Sequence, residues 1–103
     1  MISFKNKNIL ITGASGGIGN ALVKKFVSLG GNVLGVGTKT EKLDLIKKQY
    51  PNIKVKKFDI GNHSGIEEFI DNVSLELGRL DVLINNAGIN MDNLSLRMKD
   101  EEW

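Results

Sequence analysis

Thr12-Gly13-Ala14-Ser15-Gly16-Gly17-Ile18-Gly19 is the stretch on which the fold of this chain turns. It is preceded by a short apolar run, Asn8 to Thr12 (Asn-Ile-Leu-Ile-Thr), and followed by Leu22, Phe26 and Leu29, which fall with Ile18 at spacings of three and four residues. That pattern predicts a buried strand leading into an amphipathic helix, with Val23 and Val27 widening the stripe and Gly30-Gly31 as the stop. Glycines placed between such a strand and helix have separate physical uses. Gly13 permits a tight turn, Gly17 lets a diphosphate approach the main chain with no side chain intervening, and Gly19 allows helix and strand to pack closely. Unpaired N–H groups at the helix start, aided by the helix dipole, would stabilise the negative charge of a dinucleotide. The strand before and the helix after distinguish this turn from a chance cluster of glycines.

Working outward, the unit repeats. Asn32-Val33-Leu34-Gly35-Val36-Gly37 is a second buried strand, and Thr40 to Tyr50, with Leu43 and Ile46, is a second helix stopped by Pro51. Thr38-x-x-Glu41 is a candidate capping box for it, and Ser64-x-x-Glu67 for a third helix through Ile66, Phe69, Ile70, Val73 and Leu77 that Gly78 closes. Between these two helices, Lys54 to Ile60 is a third strand, and Leu80-Asp81-Val82-Leu83-Ile84 is a fourth, broken by Asn85-Asn86-Ala87-Gly88. Strands alternating with helices imply right-handed crossovers and a parallel sheet covered on both faces. The expected fold is therefore α/β, a doubly wound, Rossmann-like sheet with strand order 3-2-1-4, in which residues 1–103 form the N-terminal part of a single dinucleotide-binding domain truncated before its remaining strands. The third strand then lies at an edge, where Lys54, Lys56 and Lys57 discourage edge-to-edge pairing. The fourth is expected to present an open apolar edge, with marginal stability as the consequence.

Composition narrows the function classes. Of 103 residues, 41% are hydrophobic and 25% charged, which is an ordinary globular balance. Fourteen Lys and Arg against twelve Asp and Glu leave a formal charge of +2, too slight to suggest a nucleic-acid partner. The absence of cysteine excludes disulfides and zinc-thiolate sites, and no metal site is expected. No apolar run is long enough to span a bilayer and no secretory leader is expected, so the expected compartment is the cytoplasm.

Thr-Gly-x-x-x-Gly-x-Gly from Thr12 to Gly19, together with Asn85-Asn86-Ala87-Gly88, resembles the short-chain dehydrogenase/reductase family. In that family the Asn-Asn-Ala-Gly segment ends the fourth strand beside the cofactor ribose, so the resemblance implies that role for Asn85, Ala87 and Gly88; a strand-terminating turn is the alternative. Asp59 with Ile60 resembles the family's adenine contact, against a solvated loop aspartate. With Gly13, Ser15, Gly16, Gly17, Ile18, Gly19 and Thr38, these residues make up the expected cofactor site. Beyond it, Gly88-Ile89, Asp92-Asn93-Leu94, Arg97-Met98 and Asp100-Glu101-Glu102-Trp103 resemble the bacterial 3-oxoacyl-acyl-carrier-protein reductases of fatty-acid synthesis. This implies NADPH-dependent reduction of 3-oxoacyl-acyl-carrier-protein to the 3-hydroxyacyl form by a full-length homotetramer. A different alcohol or carbonyl substrate, or a non-catalytic dinucleotide-binding fragment, remains the alternative. As local structure, Asp100 can equally be an N-cap with Glu101 and Glu102 in a first helical turn.

Choice of cofactor rests on the end of the second strand, where an acid would bond the ribose hydroxyls and repel a ribose phosphate. Gly37-Thr38-Lys39 offers instead a hydroxyl and an ammonium, which favours NADP over NAD. Gly16 dissents, since many NADP-using relatives have a basic residue there, and Thr38 could be only a helix cap. The family's proton-donating tyrosine, the lysine four residues after it and the oxygen-positioning serine belong to the second half of such enzymes, so no catalytic residue is assigned and the 103-residue chain is expected to be inactive. Tyr50-Pro51-Asn52-Ile53-Lys54 satisfies Tyr-x-x-x-Lys only literally, because a catalytic pair needs one helical face and Pro51 breaks it. His63 reads as a solvated loop residue.

Overall fold

The computed structural model describes residues 2–59, 63–86 and 95–98. Along the chain run β1 (Asn8–Thr12), α1 (Gly17–Ser28), β2 (Asn32–Gly37), α2 (Thr40–Gln49), β3 (Lys54–Lys57), α3 (His63–Leu77), β4 (Val82–Asn85) and β5 (Ser95–Met98). They form one sheet in the order β3-β2-β1-β4-β5, whose first four strands are parallel. The expected 3-2-1-4 order is therefore present, and the fold is Rossmann-like.

The alternation of side chains along β1, β2 and β4 builds two cores from strands that are buried on both faces. On one face Ile9, Ile11, Val33, Val82 and Ile84 pack with Val23 of α1 and Ile46 of α2, flanked by Phe4, Leu22, Phe26 and Tyr50. On the other, Leu10, Leu34 and Val36 pack with Val73 of α3, flanked by Phe58, Phe69, Ile70 and Leu83. Phe4 and Phe26 meet edge to face at 5.0 Å between ring centroids. Truncating a fully buried residue such as Ile9, Leu10 or Ile46 to alanine would cost about 2–5 kcal/mol.

Helix ends follow local chemistry. Gly30, at φ +88°, turns the chain out of α1 while its N–H bonds the Val27 carbonyl and the Gly31 N–H bonds that of Phe26, a Schellman pattern. Gly78, at φ +91°, ends α3. Past α2, the Lys47 ammonium donates to the carbonyls of Pro51 and Ile53 and closes the turn into β3. The amino ends of β1 and β4 are stapled by Asp81, which is buried: its Oδ2 accepts the Asn8 N–H at 2.8 Å, and the Asp81 N–H donates to the Asn8 carbonyl at 3.0 Å. Arg79 Nε approaches both carboxylate oxygens, at 3.0 and 3.3 Å, with hydrogen-bond geometry to Oδ2 alone.

The fourth strand does not present an open edge: β5 pairs with it antiparallel from Val82↔Met98 to Asn85↔Ser95. An antiparallel neighbour needs no crossover helix, so a short return of the chain suffices to satisfy the peptide groups of β4. Residues 95–98 are consequently strand, whereas the alternative local reading of this stretch was a loop before a helix start; Asp100, Glu101 and Glu102 lie outside the described residues. Neither capping box forms as read. Lys39 is the N-cap of α2 and makes no side-chain cap, while α3 begins at His63 and so takes Ser64 into its first turn. His63 thus opens a helix and is not a loop residue. The third strand stops at Lys57, short of Ile60. Ile18, expected on the buried stripe of α1, is 40% exposed at the helix start.

Candidate functional site

Because β1, β2, β3 and β4 are parallel, their carboxyl ends share one edge of the sheet, and the loops leaving them converge there. The glycine turn leaves β1. Gly13 takes φ +63°, in the left-handed region, and the Ala14 N–H then bonds the Val36 carbonyl at 3.0 Å, laying the turn across the end of β2. Gly19 is buried against the turn it follows, and a Cβ there would stand 1.9 Å from the Gly13 carbonyl oxygen. Only glycine lets α1 start this close to β1. Gly17 is the reverse case: a Cβ on it meets nothing within 4 Å among the described residues, and Gly16, Gly17 and Ile18 are all exposed. The main chain here faces open space.

Charge complementarity comes from how α1 starts. Its N-cap, Gly16, has no side chain to accept a hydrogen bond, and the first helical bond is Asn20 N–H to the Gly16 carbonyl at 2.8 Å. The amides of Gly17, Ile18 and Gly19 precede that bond and have no acceptor within the helix. With the positive end of the helix dipole they form a concentration of donors suited to an anion, and the cleared space at Gly17 fits a diphosphate.

The end of β4 is joined to this turn by two residues of the quoted motifs that were not among the expected cofactor-site residues. Thr12, polar yet buried, accepts the Asn86 N–H at 2.8 Å and directs its own hydroxyl to Asn85 Oδ1 at 3.1 Å, with the Ile84 carbonyl at 3.4 Å. Asn86 Nδ2 reaches the Gly13 carbonyl at 3.4 Å. A hydroxyl closing an otherwise apolar strand was the signal available for Thr12. Asn86, the second asparagine of the pair, was legible only as its neighbour.

The other residues assigned from sequence lie at several places. Ser15 is half-buried, and its Oγ lies 3.3 Å from where a Cβ on Gly37 would stand, so the turn and the end of β2 are in contact. Thr38 follows β2 and is exposed, beside Lys39. Asp59 is exposed two residues past β3, while Ile60, Ala87 and Gly88 lie outside the described residues. Tyr50 is the C-cap of α2 and Lys54 the first residue of β3, at the opposite edge of the sheet from the turn. A polar cleft at that amino edge is lined by Asn8, Asn32, Asn52, Lys54 and Glu76. Doubly wound sheets hold ligands beyond their carboxyl ends, so the turn and not this cleft is the candidate site. Among the described residues, no group of three or more His, Asp or Glu could hold a metal ion.

A parallel sheet of this order, with a glycine turn opening its first helix, defines a Rossmann-like protein. Residues 7–103 match the model of the short chain dehydrogenase family, and the chain belongs to the short-chain dehydrogenase/reductase family. It is 40% identical over 103 residues to a 3-oxoacyl-acyl-carrier-protein reductase of Salmonella typhimurium, covering 99% of this chain and 42% of the relative. Among solved structures, a short-chain dehydrogenase from Streptomyces avermitilis superposes with a TM-score of 0.71 at 37% identity, covering 80% of this chain and 30% of that one. A 2-keto-3-deoxy-D-gluconate dehydrogenase from Streptococcus agalactiae gives 0.72 at 34% identity, covering 91% and 38%. The chain thus spans less than half the length of the relatives it matches.

Proposed function

We propose that this chain is the dinucleotide-binding part of a single-domain, NADP-dependent oxidoreductase that reduces 3-oxoacyl-acyl-carrier-protein to 3-hydroxyacyl-acyl-carrier-protein. One observation carries the dinucleotide reading: a glycine-cleared, uncapped helix start is tied by Thr12 to the end of β4, with Gly17 facing open space. In that reading the amides of Gly17, Ile18 and Gly19 receive the diphosphate, and Gly13, Ser15 and Gly16 shape the turn around it. Asn85, with Ala87 and Gly88, borders the cofactor ribose, and Asp59 with Ile60 borders the adenine. Thr38 and Lys39 receive the ribose phosphate that distinguishes NADP from NAD, supported by the lack of an acid at the end of β2. The bound cofactor supplies a hydride; this chain's residues bind and orient it. No residue of this chain is assigned proton donation, so the 103-residue chain is expected to bind without turnover.

The acyl-carrier-protein substrate rests on the relatives' name, a homotetrameric full-length enzyme on the family resemblance and a cytoplasmic location on the cysteine-free composition; no described helix is long and apolar enough to cross a membrane. The solved 2-keto-3-deoxy-D-gluconate dehydrogenase favours a second reading, a different small carbonyl or alcohol substrate. Titrating the chain with NADPH and NADH tests the cofactor: tighter binding of NADPH, weakened by Lys39→Ala, is expected, and equal binding of both would remove the NADP assignment. Substrate profiling of a full-length protein containing this chain separates the two substrate readings.

A further inference from the structure

We infer that Phe69 is a positioning residue for the adenosine end of the dinucleotide, acting through its stack on Phe58; the inference rests on the dinucleotide reading above. β3 is an edge strand of four residues, with a single ladder to β2. Strand ends held on one side only fray readily. Just past β3, the Phe58 N–H extends the ladder by one bond to the Gly37 carbonyl, 2.9 Å away. The Phe58 ring lies nearly parallel to that of Phe69, 4.1 Å apart at an interplanar angle of 13°. Both rings pack against the core of Leu10, Leu34, Val36 and Val73, and Phe69, held on α3, covers the face of Phe58, so the stack adds to the hold of the end of β3 on the body of the sheet.

Asp59 comes directly after Phe58 and is exposed at the carboxyl edge. Gly37, which accepts the Phe58 bond, has Ser15 resting against it and Thr38 next in the chain. The ring pair therefore backs the Asp59 loop directly and, through the Phe58–Gly37 bond, touches the end of β2 that leads to Thr38, with neither ring assigned to ligand contact. The diphosphate and nicotinamide ends depend on other ties, from Thr12 to Asn86 and from Gly19 to Gly13.

Phe69→Leu keeps an apolar side chain and removes the stack. Binding of adenosine 2′,5′-bisphosphate should weaken by about three- to tenfold, while binding of nicotinamide mononucleotide should be unchanged. Amide exchange should accelerate at Phe58 and not at Ala14. Phe69→Tyr should restore both. Val73→Ala, in the same core, should lower the melting temperature with no selective loss of adenosine binding. Unchanged exchange at Phe58 in Phe69→Leu, or the same selective loss in Val73→Ala, would overturn the positioning role. A wild-type chain that binds neither nucleotide would remove the dinucleotide reading and with it the ligand of this proposal, while the exchange result still judges the stack.

Discussion

The Thr12 hydroxyl accepts the Asn86 N–H at 2.8 Å, joining the end of the first strand to the residue that follows the fourth, 74 positions along the chain. Thr12→Val preserves the shape and deletes the acceptor. Leaving that N–H unsatisfied should cost about 1–3 kcal/mol in denaturant unfolding, and Thr12→Ser should recover most of it. A valine variant with the wild-type midpoint would show that the bond contributes nothing.

Gly19 and Gly17 should separate stability from binding. At Gly19, a Cβ 1.9 Å from a backbone oxygen forces the turn apart, so Gly19→Ala should destabilise by at least about 1–3 kcal/mol. At Gly17 the Cβ has room, so Gly17→Ala should be neutral or stabilising by up to about 1 kcal/mol. Its methyl group nevertheless occupies the space given to the diphosphate, and nucleotide titration should show affinity lost on an intact fold.

Asp81 holds the opposite edge together. Asp81→Ala removes the acceptor of the Asn8 N–H and should cost about 1–3 kcal/mol. Arg79 is half exposed, and its ion pair is worth less, so Arg79→Met should change stability by no more than about 1 kcal/mol. Thermal melts of the two variants should therefore differ clearly, the aspartate variant being the weaker.

Lys56 and Glu76 tie the edge strand to α3 at 2.8 Å. The hydrogen bond from Lys56, then its charge, and more weakly that of Lys54, hold the Glu76 carboxyl below its usual range. Since the folded value is depressed, the pair contributes stability above the unfolded value of about 4.3 and loses it as pH falls through the folded value. An NMR titration should place the Glu76 midpoint below that value, and Lys56→Met should move it upward.

The order of elements was legible because burial imposes a period on sequence. Ile9 to Ile11 and Val82 to Ile84 are apolar throughout since both faces of their strands are covered, and Leu43 and Ile46 keep helical spacing since one face of α2 meets the sheet. Helix starts were less legible. Thr38 and Ser64 carry capping chemistry, but the backbone begins α2 one residue later than a Thr38 cap requires and α3 two residues earlier than a Ser64 cap requires. Ile18 shows the same limit, since its spacing fits the buried stripe while its position at the helix mouth leaves it exposed.

By itself the sequence determined the alternating parallel fold, the glycine turn and the family, since each depends on local spacing and on which residue types a backbone conformation admits. Tertiary structure alone decided that Thr12 reaches Asn86, that Phe58 stacks on Phe69, and that β5 covers β4. The reason is physical: Thr12 and Asn86 stand 74 positions apart and meet only once the crossovers have brought the strand ends to one edge, while the Phe58–Phe69 stack and the β4–β5 pairing depend on how neighbouring elements pack, which local spacing does not encode.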